Sequence, residues 1–415
     1  MVRDKTALFM TVGIGGQNKE SLVNGLYTCI DKTNTDIILF FTSKQSKEIM
    51  IPLIKETYFN NKYKEIDNFK IIEFDNVDDF DHIFNKIKNE VLKYQKDYKI
   101  IINYNSGTKT MTMTAALISA LYDTDLISVV GKRNEKGFIE SKTEQINYLN
   151  LYQYYDELLI NKLREYFNNN NFESGKVLFK DISSNKINKE AYEKLFNAYY
   201  AMDNVNFEEG YENFDVKLFR QECDGLDENQ LNNNAKAFRI ICEKNKEGIY
   251  HWDRDYYILA SILNNARRKY DDNKYDDGIA RLYRSLELIA QIRLEKEYGI
   301  DSSKVDISIL EEYNIPDDFV NEIKNKKSQN ISLNEDYLLL KYLNDDLGIY
   351  YDNEYNKIRN MLTFRNNSIL AHGLDSLSKK QFEDFNHEVL KIARLLKSDM
   401  DEKIKETKFP IFKLD

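Results

Sequence analysis

Five short apolar runs alternate with helical patterns over the first 130 residues of the chain. The runs are rich in Ile, Val and Phe and span residues 6–12, 36–41, 69–74, 99–103 and 126–130. Near-continuous apolar segments of this length are typical of strands that a parallel sheet buries on both faces. Between them, apolar residues recur at helical spacing, most clearly over residues 77–94. Strands that alternate with helices predict a doubly wound, Rossmann-like α/β domain.

The pattern becomes helical after about residue 150. Residues 138–140 and 146–149 are predicted to pair as a terminal hairpin of the first domain, which would span residues 1–150. Beyond that point apolar residues recur at helical period, so the C-terminal half is predicted to be all-α. We expect residues 151–250 to form a helical connector and residues 251–415 to form a second helical domain.

Composition and charge narrow the classes of function. The 415 residues are 42% hydrophobic and 31% charged, which suits a globular protein of two or three domains. No apolar run approaches the roughly 20 residues needed to span a bilayer, and the first residues make a poor signal peptide. We therefore expect a cytoplasmic protein without a membrane partner. The net charge of −10 argues against stable binding of DNA but leaves room for a locally basic RNA site.

The cysteines give no indication of a metal site. Cys29, Cys223 and Cys242 are widely scattered and lack the spacing of metal ligands. In a reducing cytosol such residues are ordinary thiols. We therefore expect neither a structural zinc site nor any other bound metal.

An arginine and a histidine near the C-terminus are candidates for chemistry. Arg365 and His372 are seven residues apart, almost two helical turns, so a helix would project both side chains from one face about 10 Å apart. A guanidinium can hold a phosphate, and an imidazole can transfer protons near neutral pH. Polar residues follow the arginine and small ones flank the histidine, namely Asn366, Asn367, Ser368, Ala371 and Gly373. By itself the spacing favours a surface pair or satisfied core residues, because such spacings are common by chance, and these neighbours are what favour a catalytic pair.

Two loops of the α/β domain are candidates for ligand binding. The first predicted strand runs into Thr11-Val12-Gly13-Ile14-Gly15-Gly16, and the fourth runs into Asn103-Tyr104-Asn105-Ser106-Gly107-Thr108-Lys109-Thr110. Ligands of doubly wound sheets bind outside the carboxyl ends of the strands. Glycines let backbone N–H groups approach an anion, and a helix N-terminus with hydroxyls and a lysine attracts one. Thr42 and Ser43, after the second strand, would line the same crevice.

Known nucleotide-binding motifs fit these loops poorly. The second loop lacks the first glycine of a P-loop, because that position is Ile102. The first loop does not extend to the dinucleotide fingerprint, because position 18 is Asn. Ordinary turn chemistry could explain either loop by itself, but both follow strands of one domain. We therefore favour a nucleotide-like ligand, and the missing dinucleotide fingerprint argues against a nicotinamide-dependent oxidoreductase.

Both candidate sites resemble one family. The strand followed by Thr-x-Gly, with Asn-x-Ser-Gly-Thr-Lys-Thr after the fourth strand, resembles a CARF domain, the sensor of CRISPR-associated proteins. The segment Arg-Asn-x-Ser-Ile-Leu-Ala-His-Gly resembles the R-x4–6-H signature of a HEPN ribonuclease domain. A CARF domain followed by a HEPN domain resembles the ancillary effectors of type III CRISPR systems. The resemblance covers roughly residues 1–150 and 250–400.

The resemblance implies a ligand, a partner and a reaction. The ligand would be cyclic oligoadenylate, a tetra- or hexa-adenylate, shared by a homodimer. The residues implied to line its pocket are Thr11, Gly13, Gly15, Asn105, Ser106, Gly107, Thr108 and Lys109. Arg365, Asn366 and His372 would form a nuclease site that cleaves single-stranded RNA without a metal or another cofactor. The alternative is a sensor that binds a ligand and a partner but cleaves nothing.

Overall fold

The computed structural model describes residues 5–15, 19–122, 124–135, 137, 139–140, 142–182, 187–367 and 376–414. The chain divides into two compact units, Met1–Lys162 with Asp181–Lys186 and Leu163–Lys180 with Ile187–Asp415. Most of the middle helices therefore group with the C-terminal helices. The domain boundaries at residues 150 and 250 stay predictions. None of the described helices combines the length and the apolar character that crossing a membrane requires.

The first unit contains a six-stranded sheet. Its strands are β1 (Lys5–Val12), β2 (Ile37–Ser43), β3 (Phe69–Phe74), β4 (Tyr98–Asn103), β5 (Asp125–Val130) and β6 (Gln145–Asn150). They are ordered β3-β2-β1-β4-β5-β6, and the pairs among β1 to β5 are all parallel. This arrangement confirms the predicted doubly wound α/β fold.

Helices cover both faces of this sheet. They are α1 (Lys19–Thr33), α2 (Lys44–Lys62), α3 (Phe80–Tyr94) and α4 (Lys109–Leu121). On β1, Leu8 and Met10 pack in one core cluster with residues of α1 and α2, whereas Ala7 and Phe9 pack in another with residues of α3 and α4. Successive side chains of a strand point to opposite faces, so a strand covered on both sides is apolar throughout. This is why β1 shows no alternation in the sequence.

The predicted terminal hairpin is wrong. Strand β6 pairs antiparallel with β5, in a register that sets Asp125 opposite Asn150 and Val130 opposite Gln145. Ile139 instead forms an isolated bridge with Arg133. An edge strand has a neighbour on only one side, and β6 is exposed or half-buried along its whole length. Its sequence therefore lacks the apolar run that revealed the other five strands.

The second unit is helical among its described residues, as predicted for the C-terminal half. Its helices, with α5 leading in from the first unit, are α5 (Tyr152–Asn168), α6 (Phe172–Leu178), α7 (Lys189–Asp203), α8 (Phe207–Glu212), α9 (Val216–Glu222), α10 (Glu228–Cys242), α11 (Arg254–Asp271), α12 (Tyr275–Tyr298), α13 (Ile307–Glu312), α14 (Asp317–Lys324), α15 (Leu333–Tyr342), α16 (Asp346–Asn353), α17 (Tyr355–Asn367), α18 (Lys379–Leu396) and α19 (Met400–Glu406). A 3₁₀ turn (Phe179–Asp181) follows α6. The largest core cluster is centred on α11, α12 and α18, where Leu263, Leu286 and Val389 are buried.

A buried ionic cluster joins α7 to α11. The Asp203 carboxylate accepts hydrogen bonds from Arg268 Nε at 2.8 Å and from Lys269 Nζ at 2.7 Å. Asn265 Nδ2 donates to the same carboxylate and to the Asp203 carbonyl, each at 2.7 Å. Asp203 and Arg268 are 7% and 8% exposed, so water competes little for these bonds. The cluster therefore ties the middle helices to the C-terminal helices.

Candidate functional site

A cavity of about 1160 Å³ lies at the carboxyl edge of the parallel strands. It is lined by residues near the carboxyl ends of β1, β2, β3 and β5 and by the loops and helices that follow the first five strands. Seven of the predicted ligand-binding residues line it: Gly13, Gly15, Ser43, Asn105, Ser106, Gly107 and Thr108. The carboxyl ends of parallel strands share one edge, which brings residues from distant parts of the sequence together.

The loops after β1 and β4 are locked together by hydrogen bonds and close packing. Ser106 Oγ accepts a hydrogen bond from the Gly13 N–H at 2.7 Å, and the Thr11 hydroxyl donates to the Ser106 carbonyl. A Cβ at Gly13 would lie 2.7 Å from the Gly107 nitrogen, closer than real Cβ atoms approach. Gly107 itself has a φ of +119°, a conformation that L-residues with side chains rarely adopt. Glycine is therefore needed at both positions for the loops to meet.

Three predicted ligand-binding residues are not among those that line the cavity. Thr11 is 1% exposed, and its hydroxyl is directed to the β4 loop. Thr42 is fully buried in β2, between two neighbouring strands and beneath helices. Lys109 is the first residue of α4 and is exposed outside the lining. Strand pleating explains why Thr11 and Thr42 are buried. Successive residues of a strand point to opposite faces of the sheet, and helices cover both faces here.

The cavity also contains charged residues that the sequence reasoning missed. Glu73 lies near the end of β3, Asp75 and the polar Asn76 follow that strand, and Arg133 follows β5. Arg133 Nη1 donates to the Gly137 carbonyl at 2.6 Å. The residues after β3 could have been predicted from the sequence, because the carboxyl ends of parallel strands all lie at one edge of the sheet.

Glu73 and Asp75, two of the three acidic residues that line the cavity, are paired with lysines. Lys86 Nζ lies 2.9 Å from an Asp75 carboxylate oxygen, and its hydrogen bond lowers the pKa of Asp75 below the usual value. Lys47 Nζ lies 3.0 Å from a Glu73 carboxylate oxygen. These pairs reduce the repulsion that an anionic ligand would meet from the two carboxylates.

Arg365 lies in the last turn of α17 and is half-buried. Its Cζ lies 4.5 Å from the ring centroid of Tyr283 on α12. Its Nη1 donates to Asn366 Oδ1 at 3.2 Å. His372, with Ser368, Ala371 and Gly373, lies outside the described residues, so the Arg365–His372 pairing stays a prediction.

A smaller cavity of about 320 Å³ adjoins this arginine. One face of α17 lines it with Tyr355, Arg359, Leu362, Thr363 and Asn366, opposite Tyr283 and the start of α15. We call it the α17 cavity. Within the described parts of the chain, no group of three or more His, Cys, Asp or Glu residues is placed to hold a metal ion.

Comparisons with known proteins agree with this architecture. The family model described as the Csm6 HEPN domain matches residues 251–396. The solved structure of Enterococcus italicus Csm6 bound to cyclic hexa-2'-fluoro-hexa-dAMP superposes with a TM-score of 0.67. The alignment covers 97% of this chain and 98% of that chain at 13% identity, a likeness of fold. A search of curated proteins finds no match.

The family resemblance is therefore confirmed. A HEPN domain occupies the C-terminal helices, and a doubly wound α/β unit with a large cavity at its carboxyl edge precedes it. The alignment with the E. italicus Csm6 structure extends over almost the entire chain, so it includes both parts. Residues 251–396 therefore match the Csm6 HEPN family model, and the chain as a whole has the fold of Csm6.

Proposed function

We propose that this chain is an endoribonuclease that cyclic oligoadenylate activates. The observation that carries the proposal is the Csm6 HEPN match over residues 251–396, which include Arg365, Asn366 and His372. The activator assignment is supported by the N-terminal cavity and by the E. italicus Csm6 structure, whose ligand is cyclic hexa-2'-fluoro-hexa-dAMP. Cyclic tetra- and hexa-adenylate are the candidate activators.

The N-terminal cavity suits a large anionic ligand. Its volume of about 1160 Å³ exceeds the range of typical small-molecule pockets, roughly 300–1,000 Å³. The N-terminus of α4, capped by Thr108, supplies backbone N–H groups and the positive end of a helix dipole. We propose that two copies share one symmetric ring across a twofold axis, which makes the active species a homodimer.

The proposed reaction uses the RNA as its own nucleophile. The ribose 2′-oxygen attacks the adjacent phosphorus while the bond from phosphorus to the 5′-oxygen breaks. His372 acts as general acid or base, moving the proton that the 2′-hydroxyl loses or the 5′-oxygen gains, a role typically worth about 10²–10⁴-fold. Arg365 holds the phosphate and stabilises its developing charge. The products are a 2′,3′-cyclic phosphate and a 5′-hydroxyl, and no metal takes part.

Activation follows if the ligand prefers one state of the dimer. Two Arg365–His372 pairs would form a composite cleft across the dimer axis, and ligand binding to the N-terminal cavities would bring them into register. A ligand shifts such an equilibrium only by its difference in affinity for the two states. Single-stranded RNA is the proposed substrate, because the reaction needs an accessible 2′-hydroxyl.

The decisive experiment incubates the protein with labelled single-stranded RNA, with and without cyclic tetra- and hexa-adenylate. We expect cleavage only with an activator, undiminished by EDTA, and absent from a His372→Ala variant that still binds the activator. Cleavage retained by His372→Ala would remove the histidine from the site, and a strict metal requirement would refute the mechanism. Lys109→Glu tests the implied role of a residue outside the cavity lining, since weaker activator binding would show that it reaches the ligand in the dimer.

A further inference from the structure

The α17 cavity is a recess that is lined mainly by one face of α17. Tyr355, Arg359 and Thr363 follow one another at steps of four residues, and Asn366 continues the same face three residues on. Its volume of about 320 Å³ is at the lower end of ligand pockets, which suits one nucleotide unit better than several. Asn366, the hydrogen-bond partner of Arg365, forms part of its wall. A group bound in the recess would lie next to the proposed catalytic arginine.

The amide and guanidinium groups that line this cavity carry more hydrogen-bond donors than acceptors. Asparagine carries one acceptor oxygen and two N–H donors. Asn334 Oδ1 accepts from the Tyr351 hydroxyl at 2.8 Å, and Asn366 Oδ1 accepts from Arg365 Nη1 at 3.2 Å. Each of these oxygens thus has one of its two lone pairs occupied, whereas each amide carries two N–H donors, so donors outnumber the remaining acceptor sites. The guanidinium of Arg359 adds only donors.

We propose that the α17 cavity binds one base of the RNA beside the scissile phosphate and selects keto bases, guanine and uracil. The inference rests on the proposed ribonuclease function. Guanine O6 and uracil O4 accept from N–H groups, whereas adenine and cytosine carry an exocyclic amine at the equivalent positions. An amine facing these donors makes no hydrogen bond with them, so adenine and cytosine lose contacts that guanine and uracil make. The rings of Tyr283 and Tyr355, both in the lining, supply apolar surface of the kind on which bases stack.

Replacing one amide nitrogen of the α17 cavity by oxygen tests the preference for keto bases. We would map cleavage sites by the activated protein on a random single-stranded RNA library. We expect keto bases to be enriched at one position flanking the cut. Asn334→Asp replaces the N–H donors with an acceptor while keeping the oxygen that Tyr351 contacts. The ratio of keto to amino bases at that position should fall about tenfold.

Two further variants separate selection from folding. Tyr351→Phe frees the oxygen of Asn334 without touching the RNA, so the keto preference should relax while the cleavage rate on a mixed substrate stays the same. Asn321→Asp makes the same chemical change at an exposed position of α14 and should leave the base ratio unaltered. Uniform base usage by the wild type, or an unaltered ratio in Asn334→Asp, overturns the inference while the nuclease function stands.

A binding measurement keeps the inference testable if no cleavage is seen. Absence of cleavage would refute the proposed function, and the cavity would then be judged on 2′-O-methylated hexanucleotides with the activator present. Hexauridylate should bind about tenfold more tightly than hexaadenylate, and Asn334→Asp should abolish the difference. Equal affinities in the wild type would overturn the keto selection itself.

Discussion

The guanidinium of Arg365 lies over the ring of Tyr283, with 4.5 Å between Cζ and the ring centroid. The two residues belong to different helices, α17 and α12, which pack in the same core cluster. A cation over an aromatic face is stabilised by roughly 0.5–2 kcal/mol, more where water is excluded. The ring therefore holds the arginine in place before any RNA binds.

The effect of replacing Tyr283 on the cleavage rate should depend on whether the new side chain keeps an aromatic ring. Tyr283→Phe keeps the aromatic face, so we expect a cleavage rate within about twofold of the wild type. Tyr283→Ala removes it, and the rate should fall roughly 2- to 30-fold, the equivalent of the lost cation–π energy. Single-turnover cleavage of a labelled RNA measures this difference. Equal rates for the two variants would show that the ring does not position Arg365.

Gly13→Ala should weaken activator binding. Its Cβ would collide with the Gly107 backbone and force the loops after β1 and β4 apart, a strain of about 1–3 kcal/mol. We expect at least about tenfold weaker binding of cyclic oligoadenylate by calorimetry. Gly25→Ala is the control, because Gly25 lines the same cavity and a Cβ there meets only Val129 at 4.0 Å. Equal losses in both variants would contradict the importance of loop contact.

Asp203→Asn should destabilise the helical unit. Removing the negative charge leaves Arg268 buried beside Lys269 without its partner, and breaking such buried pairs costs about 3–5 kcal/mol. Asp271→Asn is the control, because the Asp271–Arg267 pair is exposed on both sides and such pairs contribute about 0–1 kcal/mol. Urea denaturation measures both. A similar free energy of unfolding for the two variants would mean that the cluster contributes little.

The same aspartate should make the protein sensitive to acid. Burial by itself raises the pKa of Asp203, but Arg268 and Lys269 outweigh it and hold the pKa below its usual value. A lowered folded-state pKa adds stability above about pH 4 that is lost as the pH falls further. The free energy of unfolding of the wild type should therefore drop more steeply below pH 4 than that of Asp203→Asn. Parallel pH profiles would contradict this linkage.

Asp336 should make the free energy of unfolding decrease as the pH rises, opposite to the effect of Asp203. The residue is 1% exposed in the first turn of α15, and burial raises its pKa to about 7. The folded state thus retains a proton that the unfolded chain has released, so stability falls as the pH rises toward 7. We expect a loss of roughly 2–3 kcal/mol between pH 5 and pH 8.

The Asp336→Asn variant isolates that contribution. The amide cannot ionise, so the variant should lose less stability than the wild type over the same pH range in urea denaturation. Asp318→Asn, at an exposed position in the first turn of α14, should leave the wild-type profile intact. If the free energy of unfolding of Asp336→Asn depended on pH as it does in the wild type, the Asp336 carboxyl would not titrate near neutrality.

Hydrophobic periodicity was sufficient to predict most of the secondary structure. The strands from β1 to β5 were recognisable because helices cover both faces of the sheet and leave few polar positions. Residues 146–149 were predicted to be a strand, but the predicted partner was wrong: β6 pairs with β5, and its short, exposed sequence does not identify that neighbour. The candidate loops were found because glycines and hydroxyls after buried strands are typical of ligand-binding edges.

The sequence by itself determined the order of strands and helices, the two motifs and the family that they resemble. It could not show that the Gly13 loop meets the Gly107 loop, that Thr11 and Thr42 are buried, or that Tyr283 holds Arg365. Periodicity records which face of an element is buried, because burial acts on each side chain separately. Which element covers that face depends on strand order and helix packing. Only the tertiary structure decided those neighbours.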